Sequence, residues 1–486
     1  MSLAFIIAAA LAALVVFIVA LVARTLSVRR APPAGSLAPD ALDGYAGAEA
    51  KLAALVRIPT VSRFDPAEED GSTFAALLAE LPRLYPLVFS RLLRTDVGDR
   101  GLLLEWPGSD HGAAPAVMMA HFDVVPAGDA AAWEHPPFSG DAADGFIHGR
   151  GTQDIKITLS ACLEASERLL SRGFVPRRTI FLAFGGDEET GGVRGAAAIA
   201  AALKARGVRA SFALDEGGFV ARGMLSFVDR PLALVGISEK GYVDVAIEAE
   251  GAGGHASMPP RHTAAGTVAR AVALSEARPF PGVLTYTLRR FLEALVPYAP
   301  FAYRFLFRNL FLTGPLVKAA FSASPTTNAL VRTTAAATML SGSDKENVLP
   351  DKARAILNVR VLPGSSVAGV MGRLGSIARE AGASASFAHL GHANDPLPES
   401  PVDHEGYRAV SAAIADAFPE AGVVPFMFTA GTDTKHYKDV AEAIYRFAPI
   451  LQSNEDIARV HAANERISVD NVRRACLFYE RLLSGL

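Results

Sequence analysis

The first pattern along the chain is an unbroken apolar one. From Leu3 to Ala23, 21 residues carry no charged or polar side chain. As a helix that is about 31 Å, enough to cross a bilayer core. The stretch has no positive leading region and no small-residue cleavage site after it. An N-terminal transmembrane helix is therefore expected over a cleaved signal peptide. Arg24, Arg29 and Arg30 follow; on the positive-inside rule they favour the cytoplasmic side, a bias too small to fix sidedness. Residues 1–30 are read as this anchor. Residues 31–44, which begin APPAGSLAPD, are read as a Pro/Gly-bearing linker.

From about Tyr45 the pattern changes. Leu102–Trp106, Val117–Ala120, Thr179–Gly185 and Ser211–Leu214 are continuous apolar runs, with helical spacing in Ile157–Ser171 and Ala196–Arg206 between them. Such alternation predicts an α/β domain, a central sheet flanked by helices on both faces. Near residue 237 the pattern changes again. Tyr242–Glu250 alternates apolar and polar, as a strand with one wet face does. A helix at Ala264–Ala277 follows, then strands at Ala335–Leu340 and Ala353–Val361, a helix at Val367–Ala381 and a strand at Ala383–His389. That β-α-β-β-α-β order predicts an inserted α+β, ferredoxin-like lid domain over 237–391. It would divide the larger domain into 45–236 and 392–486.

Composition supports the plan and narrows the chemistry. A chain of 486 residues exceeds what one hydrophobic core usually holds. The net charge is −3 with no long basic run, so a nucleic-acid-binding footprint is absent. The only two cysteines, Cys162 and Cys476, are far apart in sequence and offer neither a disulfide framework nor a thiolate cluster. Any metal must be held by His, Asp and Glu.

Those residues gather after the apolar runs. His121 ends one, and Asp123 is two residues on, placed to receive the imidazole N–H. Asp154 lies in a glycine-rich turn before a helix, where it can cap the helix or bridge two cations. Asp187, Glu188 and Glu189 stand side by side in GGDEETGG, directly after a buried run. There their repulsion calls for a cation, whereas in a solvated loop it would not. Asp215 and Glu216 end another apolar run, and His461 lies far along the chain in HAANERIS. Each residue alone has an ordinary structural reading. Together they form a nitrogen and oxygen donor set that suits two zinc ions, with cobalt or manganese as substitutes.

The ordered series HFDVVP, GRGTQDIK, GGDEETGG, DEGG, GGHASMPP, ENVLP, NVRVLPG, TAGTDTKHY and HAANERIS resembles the carboxypeptidase S / aminoacylase-type di-zinc metallopeptidase family. The wording is closest to its carboxypeptidase S and N-fatty-acyl-amino acid synthase/hydrolase branch. The resemblance implies a zinc-peptidase-like catalytic domain. It implies that His121 and Asp215 bind one zinc, that Glu189 and His461 bind the other, and that Asp154 bridges them, with the Asp154–Ile155 peptide cis. Glu188 would be the general base and Asp123 would orient His121. His255 would stabilise the oxyanion, in cis or across a homodimer interface. Arg360 would grip a substrate carboxylate, with Asn347, Gly431 and Thr432 as further contacts. One departure is Ala430, where relatives often carry glycine.

The reading that follows is a membrane-tethered zinc hydrolase of the amide bond next to a free carboxylate. Its partner would be a small molecule, an N-acyl amino acid. Residues 289–321, rich in Phe, Leu and Tyr, read either as extra core for the lid or as an apolar, membrane-facing or acyl-accepting surface. Three other readings stand beside it: a carboxypeptidase or dipeptidase acting on short peptides, a non-catalytic metal-binding membrane protein, and a two-metal phosphoesterase, which lacks an evident phosphate cradle.

Overall fold

The computed structural model describes residues 2–389 and 393–486. The first apolar stretch is a single helix, α1 (Leu3–Leu26), long and apolar enough to cross a membrane and mostly exposed along its length. The segment after it is not a loose spacer. Ala31 N–H donates to Pro297 O at 3.1 Å and Gly35 N–H to Pro419 O at 3.1 Å. Arg230 Nη2 donates to Pro32 O at 2.6 Å.

The continuous apolar runs form the middle of one ten-stranded mixed sheet. Its strands are β1 (Leu93–Val97), β2 (Gly101–Trp106), β3 (Ala116–His121), β4 (Ile180–Gly185), β5 (Ala210–Asp215), β6 (Val220–Ala221) and β7 (Leu232–Glu239). After the lid strands β8 (Gly241–Glu250), β9 (Gly254–His255), β10 (Thr334–Ser341), β11 (Val348–Leu349), β12 (Lys352–Val361) and β13 (Ser384–Phe387), the chain returns as β14 (Gly422–Phe428), β15 (Ala441–Arg446) and β16 (Leu451–Gln452). The order is β1-β2-β4-β3-β5-β15-β7-β6-β16, with β14 beside β7.

Both faces of this sheet are covered, which is why its runs do not alternate in polarity. The side chains alternate between two cores instead. Leu102, Leu104, Met118, Ala120, Leu182 and Phe184 enter one, together with α2 (Lys156–Ser171) and the C-terminal helix Val469–Ser484. Leu103, Val117, Met119, Phe181 and Ala183 enter the other, against α3 (Ala196–Ala205). The central strands β3, β4 and β5 run parallel, with His121 opposite Gly185. Their carboxyl ends therefore share one rim, where open α/β sheets place their ligands.

Glu239 ends β7 and Gly241 begins β8, so the chain enters the lid through Lys240 alone. The lid sheet is antiparallel in the order β10-β12-β8-β13, and helices α4 (Ala264–Ala277) and Val367–Ala381 cover one face. Val243, Val245 and Ile247 point into that core, while Tyr242 and Asp244 hydrogen-bond on the other face at 2.6 Å. The expected end of the lid at 391 lies outside the described residues.

The apolar stretch read at 289–321 does not enlarge the lid core. It folds into α5 (Tyr286–Leu295), α6 (Phe301–Arg308) and α7 (Leu310–Phe321). Leu288, Phe291, Leu292 and Leu295 recur at helical spacing and pack on Leu232 and Leu234 of β7 and Val424 of β14. The excursion thus leans on the large sheet. Its two ends meet at the lid: Val283 N–H donates to Val331 O at 2.6 Å and Arg332 Nη1 to Phe280 O at 3.2 Å.

Candidate metal centre

The strand ends bring most of the anticipated residues to one place. His121 Nε2 lies 3.2 Å from Asp154 Oδ1 and 3.5 Å from Glu216 Oε1. His461 Nε2 lies 2.8 Å from Asp154 Oδ2 and 3.3 Å from Glu189 Oε1. Two triads result, His121–Asp154–Glu216 and Asp154–Glu189–His461, each offering one donor atom per residue within 4.8 Å of the others. Asp154 belongs to both. The Asp154–Ile155 bond is cis.

The residues fit a pair of cations. Glu189 Oε1 is buried and faces His461 without meeting hydrogen-bond geometry, so it has no partner of its own. The titration of the groups shows the same demand for positive charge. His461 is raised to about 10, chiefly by the Asp154 and Glu189 carboxylates beside its ring. Burial opposes a proton on His121, but hydrogen bonds to Asp123, Asp154 and Glu216 outweigh it and lift the imidazole well above its usual range. Burial lifts Glu216 to about 7, helped by the neighbouring Asp154 charge. Divalent ions would answer the same carboxylate charge, and a set of His, Asp and Glu donors suits zinc-type metals.

Asp123 is fully buried and fixes this arrangement. Its carboxylate accepts Glu188 N–H and Glu189 N–H at 3.1 Å each and Ser62 Oγ–H at 2.7 Å, and lies 3.3 Å from His121 Nδ1. One side chain thus orients the imidazole and the Glu188–Glu189 backbone together. Glu188 is lifted well above the usual carboxylate range, first by burial and then by Asp433, Glu216 and Glu189. Asp187 turns away from the centre. It accepts Arg194 N–H at 2.7 Å and Gly195 N–H at 2.8 Å, at the start of α3.

Two placements differ from the expectation. The acid beside His121 is Glu216, and Asp215 stands outside both triads. Asp215 is the last residue of β5 and shares the face of Ala213, two positions back. Burial lifts it to about 6, opposed by a backbone hydrogen bond at Glu216 and by the charge of His121, and its buried Oδ2 has no hydrogen-bond partner. Glu216, one residue past the strand, turns to the rim instead. The period-two alternation of β5 carries this signal. Thr432 also differs. Its buried hydroxyl donates to Glu239 Oε2 at 3.0 Å, beside the Arg446–Glu239 ion pair at 2.9 Å, so it braces the rim rather than facing a ligand.

Of the other anticipated contacts, Arg360 and Gly431 line a cavity of about 580 Å³ that begins at Glu189 and also holds Lys240 and Lys435. The Arg360 guanidinium lies 4.8 Å over the Tyr242 ring. A second cavity, of about 330 Å³, borders Asp154 and Glu216 and is walled by Phe219, Phe428, Ile450 and Val460. His255 and Asn347 line neither. They sit together at the exposed two-stranded β9–β11 ladder, where Ala256 N–H donates to Asn347 O at 3.0 Å and His255 Nδ1 contacts Ser257 Oγ at 2.7 Å.

Glu465 went unread in the sequence. It is fully buried and accepts Gly151 N–H at 3.0 Å, Gln153 N–H at 2.8 Å and Asp154 N–H at 3.3 Å, as well as Arg150 Nη1 at 2.6 Å. It sets the turn that presents Asp154, and it does so from the segment that also carries His461. No spacing rule pairs residues so far apart.

The model of Peptidase family M20/M25/M40 matches residues 117–485. The N-fatty-acyl-amino acid synthase/hydrolase PM20D1.1 of Danio rerio is 39% identical over 435 residues, covering 88% of this chain and 84% of its own length. The Dictyostelium discoideum protein described as probable carboxypeptidase S-like 2 is 33% identical over 466 residues, covering 93% and 89%. Among solved structures, the M20 family metallo-carboxypeptidase Sso-CP2 of Sulfolobus solfataricus shares the fold at a TM-score of 0.66 and 18% identity, covering 90% of this chain and 98% of that one.

Two outcomes follow from the geometry. Glu216→Gln lowers bound metal to about half of the wild-type stoichiometry, because one triad loses a donor, while Asp215→Asn leaves it near wild type; elemental analysis of purified protein reads both. Glu465→Ala strands Arg150 and three backbone N–H groups, and costs about 3–5 kcal/mol in denaturant unfolding.

Proposed function

This chain belongs to peptidase family M20/M25/M40 and is a hydrolase of that family; on that premise we propose that it cleaves the amide bond of N-acyl amino acids, including long-chain ones, using a pair of zinc ions. The observation that carries this reading is the placement of the metal centre between two unlike cavities. On the Glu189 side the space is lined by Arg360, Lys240 and Lys435, which suit a free carboxylate. On the Asp154 and Glu216 side it is walled by Phe219, Phe428, Ile450 and Val460, which suit an acyl chain. A substrate spanning both would set its amide over the shared Asp154. The relatives named for N-fatty-acyl-amino acids and for carboxypeptidase S support the same bond type.

His121, Asp154 and Glu216 would hold one ion, and Asp154, Glu189 and His461 the other. When bound, such a pair polarises an amide carbonyl and draws the pKa of water toward neutrality. The residues of the chain do the rest. Glu188, whose carboxylate makes no hydrogen bond among the described residues, takes a proton from the attacking water and delivers it to the leaving amine nitrogen. Asp123 keeps His121 and the Glu188 backbone in register. Arg360 pairs with the substrate carboxylate. Lys240, held by Arg332 O at 2.9 Å, adds positive charge at the same wall. His255 and Asn347 complete the oxyanion and substrate contacts when lid closure or a second copy of the chain brings their two-stranded ladder to the centre. Cobalt or manganese would replace zinc on this donor set. The anchor reading of α1 belongs to the same proposal, with the enzyme tethered to a membrane.

Glu188→Gln retains metal and loses about 100-fold or more in kcat, the range typical of a removed proton shuttle; metal analysis and steady-state rates on one preparation check this, and normal turnover would remove Glu188 from its role. Across N-acyl amino acids of rising chain length, kcat/KM climbs by about fourfold per buried methylene until the apolar cavity is full, and Phe428→Asp flattens that slope. A preference for dipeptides over long-chain substrates in the same panel would favour the peptidase reading instead.

A further inference from the structure

The helices α6 and α7 have a second surface that the core does not use. Along α7, Phe311, Leu312, Pro315, Leu316 and Ala319 are all exposed, at spacing that puts them on one side of the helix. Phe311 and Leu316 are each 61% exposed and Leu312 is 50% exposed. Phe301 and Tyr303 of α6 add to the uncovered apolar area. A contiguous patch of this kind on a soluble face marks a contact surface.

The end of α1 shows what meets it. Leu21 and Thr25 of α1 are buried against this excursion. Asn309 Nδ2 donates to Thr25 Oγ1 at 3.1 Å, and Arg304 Nη2 donates to Thr25 O at 3.4 Å and to Val28 O. Asn309 and Arg304 are themselves buried, so loss of α1 would remove the Thr25 acceptors of both at a site shaped to receive it. Arg24 is the first charge after the apolar span, the position where a basic side chain marks a membrane boundary. Its guanidinium lies 5.2 Å over the Phe311 ring. Phe311 therefore stands at the level where α1 leaves the hydrocarbon, and the exposed face of α7 continues the lipid-facing surface of α1. Arg24 over Phe311 and the exposed Lys318 of α7 place cations beside the patch, as on helices that lie in a lipid interface.

We infer that α1 is retained in the working protein and that the exposed face of α7 lies in the interfacial region of the same bilayer, so that the catalytic body rests on the membrane instead of hanging from it. The inference builds on the anchor reading of α1. It adds a second, non-spanning contact made by Phe311, Leu312 and Leu316.

Depth-dependent quenching tests it. The full chain is reconstituted into phosphatidylcholine vesicles, with and without bromine on the acyl chains near the headgroup, as wild type, Phe311→Trp and Leu316→Trp. The native Trp106 and Trp133 are buried in the body, so the wild type supplies the background. Interfacial helices bury their apolar face about 5–10 Å, and the emission added at 311 or 316 should fall by about half with brominated lipid. Carbonate extraction and N-terminal sequencing of the same samples report on α1. If the chain resists extraction and keeps its N-terminus, yet neither added tryptophan is quenched, the interfacial contact is wrong while the anchor stands. If the mature chain begins beyond Leu26 or carbonate releases it, the anchor itself fails and the inference falls with it.

Discussion

Mutual repulsion among buried carboxylates governs this structure more than any other single term. Asp123, Asp154, Glu188, Glu189, Asp215 and Glu216 converge at one rim of the sheet, where low polarity strengthens every unbalanced charge. The fold tolerates them by supplying opposite charge or backbone N–H groups to some of them. Asp123 takes two backbone donors and a serine hydroxyl. Glu239, just below, is paired with a buried Arg446. The negative charge left over falls on Asp154, Glu189 and Glu216, beside the His121 and His461 nitrogens, and it is this excess that favours cations at the site.

The same constraint explains why the site draws on such distant segments. A sheet rim presents only one or two side chains per strand end, so a donor set of this size has to be collected from several parallel strands and the loops after them. Two carboxylates act as the ties. Asp123 reaches from the end of β3 to the backbone after β4. Glu465 reaches from the His461 segment to the turn that carries Asp154. Each joins segments that sequence alone leaves unrelated.

How much of this could be read beforehand depended on the range of the interaction. The central strands and the lid's β-α-β-β-α-β order were legible, because burial on one or two faces imposes a period on the chain itself; Val367–Ala381 and Ala264–Ala277 have the bounds that their patterns suggested. The mixed character of the sheet was not, since β2 runs antiparallel to β4 and β15 antiparallel to β7, and only pairing sets those directions. His121, Asp154, Glu189 and His461 were recognisable from motif order. The choice between Asp215 and Glu216 turned on which neighbour points past the strand end, a distinction of one residue that motif wording blurs. Thr432 and Glu465 exchanged importance because their roles are set by partners hundreds of positions away.

The excursion between residues 282 and 332 leaves the lid and rejoins it at almost the same point, where Val283 meets Val331 and Arg332 meets Phe280. Its ends being neighbours, it could be shortened, exchanged or grafted without disturbing the register of β8, β10 and β12. The way this catalyst addresses its surroundings is thereby separable from the way it performs its chemistry, and a lineage carrying this architecture can vary the one while conserving the other.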